Sequence, residues 1–269
     1  MSTAVAARLR FGGDLKAIDP RSTPGVKSRK KAEAMFAADA AELAELQERL
    51  RAEGERAIVL LLQGMDTCGK DGTVKHVVGQ INPAGVHLVS FKAPTEAELR
   101  HHFLWRIRRA LPVAGDLGIF NRSHYEDVLV VRVHDLAPWE GRYAEINRFE
   151  ARAGVTWIKC MLHISPEEQR DRLLARLDDP TKRWKFNAGD MAERKRWDDY
   201  MAAYQDALER CDTPEAPWHV IPADRKWYRN WAIQQLLLGT LRGLDPQYPP
   251  REDLDTAALT AQLKGDAAT

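Results

Sequence analysis

The run from Ala57 to Gln63 is apolar almost throughout and leads without a break into Gly64-Met65-Asp66-Thr67-Cys68-Gly69-Lys70. Two glycines and a lysine at the spacing GxxxxGK, placed between an apolar run and a helix-forming stretch, admit few folds. They require a buried strand, a loop that wraps an anion, and a helix whose N-terminus points at that anion. Gly64 and Gly69 let the backbone curl so that successive N–H groups face phosphate oxygens, and Lys70 neutralises charge that develops on a transferred group. The residues expected to touch phosphate are therefore Gly64, Met65, Thr67, Cys68, Gly69 and Lys70, with Asp71 and Gly72 at the start of the helix.

Two loop positions depart from the usual pattern. Asp71 stands where a Ser or Thr hydroxyl would contact magnesium, so another residue must hold the metal. Asp66 places a carboxylate where repulsion of phosphate would be harmful, which points to a role facing a magnesium ion; the alternative is a Gly-rich turn in which Asp66 bonds local backbone. Cys68 reads first as a small space-filling residue, although a thiol beside Lys70 and a helix N-terminus can have a lowered pKa and be open to oxidation.

Downstream, apolar runs alternate with helical periodicity. Strands are predicted at His87–Phe91, Asp116–Asn121, Val155–Ile164 and Trp218–Ile221, and helices at Lys70–Gly79, Thr95–Leu111, Pro166–Leu177, Ala192–Arg210 and Lys226–Arg242. Thr95 and Glu98 have the spacing of a capping box. The alternation predicts an α/β fold with a parallel five-stranded sheet covered by helices on both faces. Residues 1–28 carry Gly12-Gly13, Pro20, Pro24 and Gly25 and read as an irregular arm, followed by an amphipathic helix over Lys30–Arg51 that ends near Gly54. The expected organisation is an N-terminal arm and helix packed on the core over 1–54, a kinase-like domain over 55–245 with a lid at about 176–200, and a surface tail over 246–269.

The third strand ends in Asn121-Arg122-Ser123-His124-Tyr125-Glu126-Asp127, a polar cluster at the edge where open α/β sheets bind ligands. Arg122 is suited to bidentate phosphate contact, with a structural ion pair as the alternative. Asn121 occupies the strand-end position usually taken by a metal-organising acid, so that role passes to Glu126. Asn121, Arg122 and Glu126 are the expected nucleotide-binding residues, and His124 reads as a hydrogen-bonded scaffold group. Further on, Arg176 and then Lys182-Arg183-Trp184-Lys185-Phe186, separated by the helix-breaking Pro180, form a basic segment with aromatic anchors. A lid that closes over phosphate needs that combination; a solvated basic surface is the bland reading. Arg176 and Arg183 are its best catalytic candidates, with Lys182 and Lys185 as phosphate contacts. Trp197 is expected to pack the lid base more than to stack a nucleobase.

The formal net charge is only +1 over 269 residues, so any polyanion must be met by local clustering, and neither nucleic acid nor a membrane is an expected partner. Three scattered cysteines form neither a disulfide framework nor a zinc pattern. With no signal peptide core and no long apolar run, the expectation is a soluble cytoplasmic protein.

The motifs over 63–76, 118–128 and 179–186, with Arg196–Tyr200 after them, resemble the second family of polyphosphate kinases, and most of all its third class. The resemblance runs from about Leu15 to Tyr248 and implies a P-loop kinase fold related to thymidylate kinase, with a helical lid. It implies magnesium, with manganese as a substitute, and transfer of the terminal phosphate of inorganic polyphosphate to ADP and AMP. Some members accept guanine nucleotides, and members commonly form homo-oligomers. Catalysis would fall on Asp66, Lys70, Arg122, Arg176 and Arg183, metal on Asp66 and Glu126, and the arginine-rich face of Thr95–Leu111 with the basic pairs around Lys75 and Arg132 would wall a channel for the anionic chain. Asn121 agrees with the third class, whereas Cys68 departs from the alanine expected there. The residues also leave open an ATP-dependent nucleoside monophosphate kinase, which needs no basic channel, and a non-catalytic polyphosphate or nucleotide-binding regulator.

Overall fold

The computed structural model describes residues 2–266. In chain order its elements are α1 Ser2–Leu9, α2 Arg29–Ala38, α3 Ala40–Glu53, β1 Ile58–Gln63, α4 Lys70–His76, β2 Val86–Ser90, α5 Glu96–Leu99, α6 Trp105–Arg109, β3 Leu117–Asn121, α7 Glu126–Val133, α8 Arg142–Arg152, β4 Thr156–His163, α9 Pro166–Asp178, α10 Gly189–Lys195, α11 Trp197–Cys211, β5 Trp218–Pro222, α12 Lys226–Leu244 and α13 Thr256–Asp266. The five strands form one parallel sheet in the order β2-β3-β1-β4-β5.

This order puts β1 at the centre, with β3 and β4 as its neighbours. All six β1 residues are buried, as its apolar run requires of a strand covered on both faces. Successive crossovers leave β1 in opposite directions, so a crevice opens at the carboxyl ends of the central strands. The registers Leu62 to Asn121 and Gln63 to Met161 bring the start of the phosphate loop, the end of β3 and the end of β4 level there. Two groups of helices flank the sheet: α12 packs with α1 to α4, and α11 with α7 and α8.

The structure redraws several expected boundaries. The N-terminal arm is not irregular at its start: α1 buries Val5 and Leu9 and packs on α12, while Arg10 bridges to His219 at the sheet edge. Two apolar residues one helical turn apart are too weak a signal to stand out from the Gly and Pro that follow. The long N-terminal helix is interrupted at Asp39, whose carboxylate accepts from Gln235 Nε2 at 2.7 Å, and it ends as expected on a left-handed Gly54. The expected helix over Thr95–Leu111 is two short helices. Its capping box forms, but Leu99 is exposed while Leu104 and Ile107 turn inward, so the chain breaks between them to bury the better face.

Helices α7 and α8 are not among those the sequence predicts, because the polar cluster before them masks their apolar spacing. The expected helix over 192–210 breaks at Arg196, and α13 lies in the expected tail with its described side chains exposed. Among the described residues no helix is long and apolar enough to cross a membrane, and all three cysteines are free and buried.

Candidate active site

The phosphate loop is held in shape from both sides. Above it, Gly64 has φ 147°, and a Cβ there would lie 2.7 Å from the Leu162 carbonyl, so no larger residue fits between β1 and β4. Below it lie two buried guanidiniums. Arg172 on α9 donates through Nη1 to the carbonyls of Thr67 at 2.9 Å and Cys68 at 3.0 Å, through Nη2 to Ala223 and Asp224, and through Nε to Glu168. Arg229 on α12 donates to the Cys68 carbonyl at 3.3 Å, and burial, reinforced by the like charge of Arg172, pushes its pKa down to about 10. Drawing carbonyls inward leaves the amides facing outward: among the described residues the N–H groups of Thr67 and Gly69 carry no backbone hydrogen bond. That is an anion cradle.

Lys70, the first residue of α4, is folded back on the loop, its Nζ donating to the carbonyls of Gly64 at 2.7 Å and Met65 at 3.3 Å. Asp71 accepts from Asn121 Nδ2 at 2.9 Å, which ties the start of α4 to the end of β3. Cys68 is fully buried within the loop, as a space-filling role requires.

At the end of β3 the backbone turns sharply. Arg122 has φ 64°, a left-handed conformation uncommon outside glycine, and its N–H donates to the Leu62 carbonyl at 3.0 Å. This turn aims its guanidinium at Asp66, with Nη2 to Oδ1 at 2.8 Å, and sets Nη1 3.6 Å from Glu126. Burial opposes the Arg122 charge, but Glu126 and Asp66 outweigh it and hold the pKa above its ordinary value. Glu126 also accepts from Gln63, whose carbonyl accepts from Ser123. Behind the turn His124 is fully buried and bonded to Glu150, the scaffold role its context predicts.

A cleft of about 980 Å³ opens over these elements. Of the predicted residues, Asp66, Thr67, Gly69, Lys70, Asp71, Gly72, Asn121, Arg122, Arg176, Lys182 and Lys185 line it together. Ten lysines and arginines face it against four carboxylates, so a chain of near-zero net charge gathers a local excess of cations here. The basic segment after α9 reaches across: Lys185 Nζ lies 3.9 Å from Asp71, and Arg176 lies 3.7 Å from Asp190 while donating to the Lys185 carbonyl.

Other expected residues lie elsewhere. Arg183 does not line the cleft; its Nε donates to the Leu177 carbonyl at 2.7 Å and so caps the end of α9. Arg132 pairs with Asp206 at 2.5 Å and stands over the Trp139 ring, so packing against α11 rather than the cleft accounts for it. Lys75 is exposed on α4 outside the cleft. Gly64, Met65 and Cys68 shape the loop from within without facing the cavity. Trp197 packs against the core.

Sequence reasoning missed Arg29, Lys92, Lys226 and Arg229 as cleft residues and Arg172 as the prop beneath the loop. Arg29 comes from α2, so the N-terminal extension supplies part of the wall. The signal available for Arg229 was a charged residue within the otherwise apolar face of α12, and it was not decisive alone.

For a metal, the donor set is sparse. Among the described residues no three His, Cys, Asp or Glu side chains form a cage. Magnesium is commonly bound by one or two carboxylates plus substrate phosphates and water, so a sparse set fits it. Asp66 faces the cleft, and Asp190 is near enough that Asp66 adds to burial in raising the Asp190 pKa. Glu126 stands behind Arg122, bonded to Gln63, and is less suited to the metal than the sequence implied.

The chain matches the family described as Polyphosphate kinase 2 over residues 26–249. It is 49% identical over 247 residues to an AMP/ADP-polyphosphate phosphotransferase of Meiothermus ruber, covering 89% of this chain and 92% of that protein. It is 42% identical over 225 residues to an ADP-polyphosphate phosphotransferase of Rhodopseudomonas palustris, covering 77% of this chain and 78% of that one. The crystal structure of polyphosphate kinase 2 from Arthrobacter aurescens TC1 superposes with a TM-score of 0.94 at 50% identity over 97% of both chains. A phosphate cradle on a 2-3-1-4-5 parallel sheet, a cationic cleft and these whole-length matches agree, and the chain belongs to the polyphosphate kinase 2 family.

Proposed function

We propose that the protein transfers the terminal phosphate of inorganic polyphosphate to both AMP and ADP, forming ADP and ATP. The carrying observation is the cleft itself, in which ten cations surround a phosphate loop in a chain of net charge +1. A nucleotide alone would not need so many; two phosphate-bearing substrates, one of them a long polyanion, would. The 49% identity to a protein named for both acceptors supports the pair of acceptors.

In the proposed step, an oxygen of the acceptor's terminal phosphate attacks the end phosphorus of the chain in line. One P–O bond forms, the terminal anhydride P–O bond breaks, and the shortened chain leaves with the electron pair. Lys70 leaves its resting carbonyls to meet the transferred group, and Arg122 spreads the charge on its equatorial oxygens. Arg176, Lys182 and Lys185 approach from the basic segment and exclude water, which would otherwise intercept the phosphoryl group. Asp66 is the residue that would hold magnesium, whose charge would screen donor from acceptor. Asp66 also anchors Arg122 at 2.8 Å before substrate arrives, so the guanidinium is set without a search through rotamers.

The test is incubation of purified protein with magnesium, long-chain polyphosphate and either AMP or ADP, with nucleotides separated by chromatography over time. ATP from ADP, and ADP followed by ATP from AMP, is the expected result. No product unless a nucleoside triphosphate is added would overturn the reading in favour of an ordinary nucleotide kinase.

Trp184 gives a smaller prediction. It lines the cleft yet is 78% exposed, with Lys185 over its ring at 5.0 Å, so it contributes little to the folded core. Trp184→Ala is expected to leave the melting temperature within about a degree, as exposed substitutions do, and to raise a substrate KM by roughly tenfold through loss of an apolar anchor. A change in melting temperature with unchanged KM would show the ring to be structural instead.

A further inference from the structure

A second concavity, of about 790 Å³, lies between α6 and α8 and shares no lining residue with the cleft. Its cations are Arg108, Arg148 and Arg152, all exposed. No ion pair among the described residues engages any of the three, although neighbouring arginines on the same helices are paired: Arg142 with Asp127 at 2.9 Å and Arg106 with the same carboxylate at 3.9 Å. The single lining carboxylate, Glu145, is bonded to His102 Nε2 at 2.8 Å. Three guanidiniums thus converge on a concave surface with little to neutralise them.

The aromatic residues decide what kind of anion fits. Trp105 is stacked by His101 at 4.1 Å and 9°, with Arg109 at 5.0 Å from its ring centre. Phe149 lies under Arg108, 5.5 Å from its ring centre. These rings are already engaged, so they offer no free face for a nucleobase, whereas the cation over Phe149 holds its position without losing its charge. Guanidiniums match phosphate oxygens in bidentate geometry and stay charged at any working pH.

We propose that this groove is a second phosphate-chain site, separate from the catalytic cleft, which takes an inorganic condensed phosphate through Arg108, Arg148 and Arg152. Its ligand chemistry rests on the reading that polyphosphate is the donor, but its occupancy does not depend on turnover. A distant stretch of the donor chain and a separate short chain present the same chemistry to it; only a long chain could engage both sites at once and gain from effective concentration.

The experiment is calorimetric titration of the full chain with tripolyphosphate, without nucleotide, on the wild type and on Arg148→Glu/Arg152→Glu. The expected result is two sites per chain in the wild type and one in the variant, or at least a tenfold loss of affinity at one site only. The variant should keep its melting temperature and its kcat with saturating donor. Arg148→Gln/Arg152→Gln, which adds no acidic charge, should show the same loss to a lesser degree and serves if the first variant fails to fold. Equal stoichiometry and affinity in wild type and variants would overturn the proposal. Displacement from the second site by ATP with higher affinity than tripolyphosphate would also overturn it, because the site would then be a nucleotide site. If KM for long-chain donor rises in the variant while KM for tripolyphosphate does not, the groove holds a distant part of the donor chain; if neither changes while the second site is lost, it holds a separate chain. Should the nucleotide assay yield no product, the two-site titration still reads the groove directly, so the two ideas fail independently.

Discussion

Replacing Lys70 by methionine is expected to lower kcat by about a thousandfold, at the upper end of what loss of one preorganised donor costs, while the protein remains folded. In the resting structure the ammonium bonds the carbonyls of Gly64 and Met65 and the Cys68 sulfur, all within the loop it belongs to. Its removal therefore breaks no link between distant elements, and methionine retains much of the apolar stem. The loop keeps its other supports, since Arg172 still holds the Thr67 and Cys68 carbonyls from below. In the proposed mechanism, what disappears is a charge that strengthens its contact as negative charge builds on the transferred phosphoryl group. Such a loss falls mainly on kcat and less on KM. Arginine should not restore activity, because its planar fork does not fit the space of a point charge that is 8% exposed. Steady-state kinetics with both acceptors, beside thermal melts, would decide it; a kcat within tenfold of wild type would remove Lys70 from the chemistry.

The loop was legible because its chemistry is local: two glycines, a lysine and a preceding apolar run fix strand, turn and helix together, and β1, the loop and α4 lie where that pattern puts them. The parallel sheet followed from the alternation of runs. What sequence could not supply is the set of side chains brought in from far along the chain. Arg172 and Arg229 lie more than a hundred residues beyond the loop carbonyls they hold, and Arg29 approaches the cleft from before the sheet begins. Arg132 and Arg183 illustrate the opposite error. Each has the right charge in a basic stretch, yet one meets Asp206 and the other the Leu177 carbonyl, partners that only the packing of α7 on α11 and the end of α9 reveal. Likewise α1 depends on α12 to bury Val5 and Leu9, and an isolated helix of that length has no stability of its own.

Glu150→Gln is expected to cost about 3–5 kcal/mol of stability, the usual effect of leaving a buried charge unpaired, although the residue lies outside the cleft. Its carboxylate is fully buried and accepts from His124 Nε2 at 3.0 Å, Tyr125 Oη at 2.9 Å and Lys159 Nζ at 2.6 Å. Lys159 in turn donates to Tyr125 Oη at 2.7 Å and to the Cys211 carbonyl at 2.8 Å, joining α8, β4, α11 and the turn after β3. Burial works against the Glu150 charge, but Lys159 and His124 outweigh it and hold its pKa below the ordinary value. A carboxyl depressed on folding stabilises the protein above its unfolded pKa, and that contribution is lost as pH falls through the folded value. The gap between wild type and variant should therefore be full at pH 7 and shrink below about pH 4.5, near the ordinary pKa of a glutamate. Lys159→Met combined with Glu150→Gln should recover part of the loss, because no charge is then left without a partner. Denaturant melts of the wild type and the two variants across that pH range would test it. Since His124 and Tyr125 directly follow the turn that aims Arg122 at Asp66, the single variant should also lose activity, and the double variant should regain some of it. A gap at pH 7 below about 1 kcal/mol, the scale of an ordinary hydrogen bond, or one that fails to shrink in acid, would show that this buried pair does not brace the turn that carries Arg122.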